Sequence, residues 1–368
     1  MGPAKAAKRS RESQPVVLIM AGGKGERFWP RSRLSLPKQL QKVYSNRTLL
    51  QETIDRALLF TSRDRIFIGC NAELKKATRK IHPGIKKEQF IVEPEGRNTA
   101  PIIALAALEL ERRFGGAVQV VLSADHYIAP PEAFRETIEN AVRTARDGWL
   151  VTLGVRPTRP EVGYGYIRAG AALPEGPARS IEAFQEKPGL ETAREYLADG
   201  NYFWNSGIFI WQGRRILEEF EEHAPDIIGP LQEAYRSKGK LREAFSTIPE
   251  RPVDIAIMEK SKRIAMIPAT FSWDDVGSWL SLERILEADP NGNVRLEGKK
   301  AGAMVTLDAA NNVIVTKKNK LVALLGVSDT ILVEEGDVVF LAARDRLDDI
   351  KKLLAELKQN PGLQKYLR

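Results

Sequence analysis

The run Ala21-Gly22-Gly23-Lys24-Gly25 places three glycines directly behind five apolar residues, Val16–Met20. Without Cβ atoms, a backbone can turn tightly off a strand and approach a ligand closely. Lys24, Arg27 and, after Pro37, Lys38 add fixed positive charge at the mouth of that turn. Backbone N–H groups and cations beyond the carboxyl end of a strand suit a polyphosphate. The loop is therefore expected to hold a nucleoside triphosphate. Two other phosphate loops do not fit. A Walker loop needs Ser or Thr after its Gly-Lys, and Gly25 stands there; the dinucleotide fingerprint needs a glycine where Phe28 sits. A merely structural glycine turn would account for the glycines, but not for Arg27 and Pro37-Lys38 at this spacing.

Acids follow at two remote places. Ser123-Ala124-Asp125-His126 ends an apolar run with a carboxylate, at the edge where α/β sheets bind ligands. Asp125 there suits Mg2+, a hard cation held by one or two carboxylates plus phosphate oxygens; taken singly it equally reads as a cap or loop residue. Phe271–Ser278 carries a second acidic turn, with Asp275 two residues before Gly277. Alone, that is a capped turn. Between a strand and a helix lies Glu93-Pro94-Glu95-Gly96-Arg97-Asn98-Thr99-Ala100-Pro101, where Asn98 or Thr99 reads as a cap and Pro101 as a first-turn proline. Gly165 in Val162–Tyr166, Glu186 and Lys187 in Phe184–Pro188, and Asn205 in Tyr202–Gly207 complete the candidates. Their plain structural readings are a glycine bulge in a β-ribbon, a solvated turn and a satisfied turn asparagine.

The elements that position these residues alternate. Strands are predicted at Val16–Met20, Ile66–Gly69, Phe90–Val92, Val118–Ser123 and Leu150–Leu153. Helical stripes run through Leu49–Leu58 and Ile102–Leu110, and a third helix opens at Pro131. This alternation predicts an α/β fold with a doubly wound, mainly parallel sheet. Residues 163–211, rich in glycine and aromatics, read as an irregular insertion over the sheet. Residues 216–288 read as mainly helical. After Pro290-Asn291-Gly292 short apolar runs separated by Asn, Gly and Asp turns predict a small β appendage, closed by an amphipathic helix over 346–359. The expected division is a basic disordered tail over 1–14, a main domain over 15–290 and the appendage over 291–368.

At 368 residues with 43% hydrophobic and 28% charged residues, the composition is that of an ordinary globular protein. No apolar run reaches the length of a membrane span, and the short run before the glycine loop does not read as a signal peptide. One cysteine, Cys70, excludes an internal disulfide and a thiolate zinc cluster, and reads as a small buried hydrophobe. The cytoplasm is the expected compartment. The net charge of +8 is scattered rather than interleaved with aromatics, so nucleic acid is not an expected partner.

The glycine loop with Arg27, Pro30 and Pro37-Lys38 resembles the signature of sugar-nucleotide pyrophosphorylases. The resemblance covers about residues 15–340 and is closest to the mannose-1-phosphate guanylyltransferase family. It implies a Rossmann-like nucleotide-diphospho-sugar transferase fold with a β-helix-like C-terminal appendage. It also implies conversion of GTP and mannose 1-phosphate to GDP-mannose and pyrophosphate, with Mg2+ as cofactor. Carried over position by position, Ala21, Gly22, Gly23, Lys24, Gly25, Glu93, Asn98, Thr99 and Ala100 would contact the nucleotide. Arg27, Lys38 and Lys187 would be catalytic, Asp125 and Asp275 would bind the metal, and Gly165, Glu186 and Asn205 would bind the sugar. Glu93 stands where thymidylyl members carry a Gln, and a carboxylate, accepting only, suits the N1–H and N2–H2 donors of guanine. Many bacterial relatives carry a C-terminal isomerase domain with a His-rich metal motif; isomerase activity is not expected here. The rivals are transfer to another sugar 1-phosphate, and a catalytically silent GDP-mannose-sensing subunit, against which the retained cations and acids argue. A homodimer through the β appendage is expected.

Overall fold

Five consecutive apolar residues, Val16–Met20, form β1 in the computed structural model, which describes residues 14–23, 25–34, 36–237, 239–296, 302–316 and 320–367. Lys24 and the tail through residue 13 lie outside the described residues. The apolar run is continuous because both faces of β1 are covered. Val16 and Leu18 enter a cluster with the helices Thr99–Phe114, Gly213–His223 and Pro225–Arg236, while Val17 and Ile19, pointing to the other face, are equally buried. The further strands of this part of the chain are β2 (Ile66–Cys70), β3 (Phe90–Val92), β4 (Val118–Ser123), β5 (Tyr127–Ala129), β6 (Leu150–Val155), β7 (Tyr166–Ala172), β8 (Arg179–Gln185), β9 (Tyr202–Gln212), β10 (Ile264–Pro268) and β11 (Ser272–Asp274). Nine of these strands form one sheet in the order β3-β2-β1-β4-β9-β6-β10-β8-β7.

The α/β alternation appears as predicted: β1 runs parallel to β2 and β4, β2 to β3, and β6 to β10. One expectation needs correcting. Residues 163–211 are not an insertion laid over the sheet; they supply β7, β8 and β9 to the sheet itself. β9 runs antiparallel between β4 and β6, so the sheet is mixed at its centre. β7 and β8 stay half exposed and bulged, which is why they lack the apolar runs of core strands. Cys70 closes β2, fully buried, and burial pushes its thiol up to about 12.

By packing, the described chain divides into two compact units. One comprises the sheet and its helices, through Trp273. The other takes Gly23–Glu52 and Asp125–Tyr127 together with Asp274–Arg368. In the second unit short strands stack in parallel: β12 (Val294–Leu296) on β14 (Val313–Val315), β14 on β16 (Thr330–Glu335), and separately β13 (Met304–Leu307) on β15 (Val322–Leu325). A last strand, β17 (Val338–Ala343), returns antiparallel along β16. The result is β-helix-like. Val294, Val313, Val315, Ile331 and Val333 fill its interior and continue into Phe28, Trp29, Val276 and Trp279.

Its turns are held by a ladder of amides. Asn312 Nδ2 donates to Asn293 Oδ1 at 2.8 Å and to Val327 O at 2.9 Å, while its own Oδ1 accepts from the Thr330 N–H and hydroxyl. Asn312 is 1% exposed, so a truncation leaves these partners unpaired and dry. Asn312→Ala is therefore expected to destabilise the fold by about 1–3 kcal/mol, read from the denaturant midpoint; an unchanged midpoint would contradict the ladder's role.

Candidate active site

The predicted phosphate and metal residues of the second unit converge on one ammonium group. Gly25 adopts φ 62°, and a Cβ there would lie 2.4 Å from the Cβ of Lys38. Only glycine allows both the turn and that approach. Lys38 is buried to 6% exposure, and its Nζ donates to Asp125 Oδ2 at 2.7 Å and to the carbonyl of Asp275 at 3.1 Å. The ring of Phe28 lies beneath it, 5.4 Å from the ammonium. A buried cation needs such partners, because desolvation costs several kcal/mol otherwise. Phe28 is seated against Trp279, whose Nε1 donates to Trp29 O at 3.0 Å. Arg27, by contrast, is exposed.

The acidic turn separates two neighbouring carboxylates. Asp274 is spent on structure: its Oδ1 accepts from the Val276 N–H and its Oδ2 from Arg284. Asp275 accepts from the Gly277 N–H at 3.2 Å, and a Cβ on Gly277 would come within 2.7 Å of its carboxylate. Val276 between them is held at φ 49°, a strained position for a β-branched residue. Among the described residues no three His, Cys, Asp or Glu side chains converge on a metal position. Lys38 meets Asp125 through its carboxylate and Asp275 through its backbone carbonyl, so both residues are drawn to one ammonium; their carboxylates are of the kind that suits Mg2+, whose remaining ligands are phosphate oxygens and water.

In the first unit, Ala21 N–H donates to Gly69 O at 2.8 Å, and Gly22 follows it, exposed. Glu93 follows β3 and is 8% exposed. Its Oε2 is buried with no hydrogen-bond partner in the protein among the described residues. Burial raises its pKa from an ordinary 4.5 to about 7, since a dry, unpaired carboxylate holds its proton. Asn98 caps the helix Thr99–Phe114, accepting from the Thr99 N–H at 2.9 Å, but does so at φ 68°. The Thr99 hydroxyl accepts from Val253 N–H at 2.8 Å, and Ala100 N–H donates to Arg251 O. The cap reading is thus true of Asn98, at a backbone position that costs strain.

Gly165, Glu186, Lys187 and Asn205 also come together in this unit. A Cβ on Gly165 would lie 2.5 Å from Glu186 Oε2, and Asn205 N–H donates to Gly165 O at 2.8 Å. Lys187 Nζ pairs with Glu186 Oε1 at 2.9 Å but stays 60% exposed, free to reach an anion. Asn205 is buried, with Oδ1 accepting from Thr152 and Nδ2 donating to Asp254 Oδ1 at 2.8 Å. Asp254 and Glu259, which accepts from the Glu186 N–H, were not legible as site residues. Nothing but Val-Asp-Ile-Ala-Ile-Met-Glu surrounds them in sequence, which reads as an ordinary helix end.

Comparison with known proteins shows the family. Residues 16–292 match the family described as nucleotidyl transferase, and residues 302–357 match the MannoseP isomerase/GMP-like beta-helix domain. The mannose-1-phosphate guanylyltransferase ManC of Salmonella typhimurium is 38% identical, over 95% of this chain and 74% of its own length. The xanthan biosynthesis protein XanB of Xanthomonas campestris pv. campestris is 36% identical, over 94% of this chain and 74% of its own. A crystal structure described as mannose-1-phosphate geranyltransferase from Thermus thermophilus superposes with a TM-score of 0.85 at 34% identity, covering 94% of this chain and 99% of that one.

The dry carboxyl of Glu93 has a measurable consequence. With its folded pKa raised above the unfolded value, the folded state holds a proton the unfolded state has lost between pH 4.5 and about 7. Its contribution to stability is full below pH 4.5 and is lost as pH rises through about 7. Glu93→Gln should remove that part of the decline in Tm across this window. A variant whose Tm profile runs parallel to the wild type would show that the carboxyl is not held dry.

Proposed function

This chain belongs to the nucleotidyl transferase family, among the mannose-1-phosphate guanylyltransferases, and on that premise we propose that it transfers GMP from GTP to α-D-mannose 1-phosphate, releasing pyrophosphate. The observation that carries the choice of base is the unpartnered, buried Oε2 of Glu93. Guanine offers two adjacent donors, N1–H and N2–H2; an ionised carboxylate accepts both, and donors arriving at Glu93 would favour the ionised form that burial alone disfavours. Uracil and thymine present acceptors at the corresponding carbonyls and would be repelled.

In the proposed reaction an oxygen of the sugar phosphate attacks the α-phosphorus in line as pyrophosphate departs. The nucleophile is already an anion, so the chain needs neither a covalent intermediate nor a general base. It must orient two polyanions and neutralise them. Arg27 and the amides of Ala21–Gly25 hold the β- and γ-phosphates. Lys38 stabilises charge on the transferring group, and Lys187 orients the sugar phosphate. Asp125 and Asp275 would hold Mg2+, which supplies neutralisation of phosphate charge when bound. Gly165, Glu186 and Asn205 contact the sugar, and Asn98, Thr99 and Ala100 line the base turn.

Residues 15–290 form the proposed transferase segment and 291–368 the appendage. No helix among the described residues is long and apolar enough to cross a membrane, and the proposed compartment is the cytoplasm. Val305, Leu307 and Leu325 stand 58–72% exposed on the outer face of β13 and β15, an apolar surface that supports pairing of two chains as a homodimer. No nucleic-acid partner is proposed.

The test is kcat/KM for GTP, ITP and UTP with mannose 1-phosphate, in wild type and Glu93→Gln. Wild type should prefer GTP. In the variant one guanine donor faces an amide donor, so GTP use should fall by roughly one to two orders of magnitude, from about 1–3 kcal/mol for an unpaired buried group. Preference for GTP over ITP, which lacks the 2-amino group, should shrink. An unchanged GTP:ITP ratio would show that Glu93 does not read the base.

A further inference from the structure

Asp254 opens a π-helical turn, Asp254–Met258, a rare backbone form concentrated at functional sites. The turn is laced on both sides to residues already placed in the proposed site. Upstream, Arg251 N–H donates to Arg97 O at 3.3 Å, Ala100 N–H to Arg251 O at 3.1 Å, and Val253 N–H to the Thr99 hydroxyl at 2.8 Å. Downstream, Glu259 Oε1 accepts from the Glu186 N–H at 3.1 Å. Asp254 itself takes the Asn205 Nδ2 at 2.8 Å.

Those contacts fix the Asn205 amide. Its Oδ1 accepts from the Thr152 hydroxyl at 2.8 Å and from Gly207 N–H at 3.2 Å, so both acceptor positions are filled from within the protein. One Nδ2 hydrogen goes to Asp254, and the second is left with a direction set by the first. Burial and the nearby charge of Glu186 raise the Asp254 pKa to about 7, while its own backbone N–H and the Asn205 amide oppose the shift. A carboxyl enclosed in this way, on a turn of unusual geometry and bonded to a proposed sugar-site amide, is a candidate functional position.

We propose that Asp254 determines which sugar 1-phosphate this chain accepts, as a positioning residue that aims the remaining Asn205 N–H at one sugar hydroxyl. The inference rests on the sugar site assigned under the proposed function. Epimeric sugars differ in the position of a single hydroxyl, and a donor held rigidly discriminates between them where a loose one does not. The lacing through Arg251–Val253 ties the same aim to the base turn Arg97–Ala100, so the two halves of the unit share one support.

The experiment measures Kd for mannose 1-phosphate and glucose 1-phosphate by calorimetry, with a non-hydrolysable GTP analogue bound, in wild type and Asp254→Ala, Asp254→Glu and Asp254→Asn. The alanine variant loses the acceptor and the glutamate variant displaces it by one methylene, so both should shrink the ratio of the two Kd values by about tenfold, with analogue affinity within about twofold of wild type. Asp254→Asn keeps an acceptor oxygen in place and should keep the ratio. An unchanged ratio in the alanine and glutamate variants would overturn the proposal, and so would equal losses for sugar and nucleotide, the mark of a purely structural role. The glutamate variant decides the matter if alanine does not fold. Wild-type turnover, assayed in parallel, separates the two levels: absent turnover with a shifted Kd ratio counts against the reaction and not against Asp254.

Discussion

A buried ammonium, that of Lys38, sets the geometry on which the proposed chemistry depends. A cation at 6% exposure is tolerable only beside compensating charge and dipoles, and these come from segments far apart in the chain: the carboxylate of Asp125 and the backbone of Asp275. The same constraint reaches back to the glycine loop. Gly25 has to be glycine because the Lys38 side chain passes where a Cβ would be. Phe28 and Trp279 form the floor, and the apolar interior of the β-helix-like strands continues into them. The appendage is thus part of the support for the proposed catalytic lysine within its own unit.

The first unit applies a different rule, leaving a polar group unmatched. Glu93 is enclosed with one oxygen lacking a partner among the described residues, and Asp254 is enclosed with its pKa raised by burial. Both are costly in the protein alone, and both sit on supports that fix their direction. Positive φ values recur at the candidate turns, in Asn98, Lys187 and Val276. Each such residue stores about 1–3 kcal/mol of strain, which the surrounding hydrogen bonds hold in place. Groups held in this way would present acceptors and donors already aimed, as the proposed reaction, driven by positioning and charge neutralisation, requires.

Much of this was readable in the residues. Val16–Met20, Val118–Ser123 and Leu150–Leu153 are strands buried on both faces, so their apolar runs are unbroken. Pro131 and the stripe from Ile102 to Leu110 mark helices by position and period. The stacked strands of the appendage were legible because Asn, Gly and Asp turns punctuate short apolar runs. β7 to β9 were not, since two of them are half exposed and bulged and show neither a buried run nor clean alternation. Gly25 was legible as a permissive turn residue, but its approach to Lys38 is a tertiary fact. Asp254 carried no signal at all: its meaning comes from a π-helical turn and a partner, Asn205, brought in by the fold.

If Lys38 acts on charge that develops as the phosphate is transferred, removing its ammonium must cost rate more than binding. Steady-state kinetics of Lys38→Ala with GTP and mannose 1-phosphate test this most directly, alongside a Tm to verify the fold. The account predicts a fall in kcat of roughly 10²–10³, with KM for GTP changed by only a few-fold. A folded variant with wild-type kcat would contradict it.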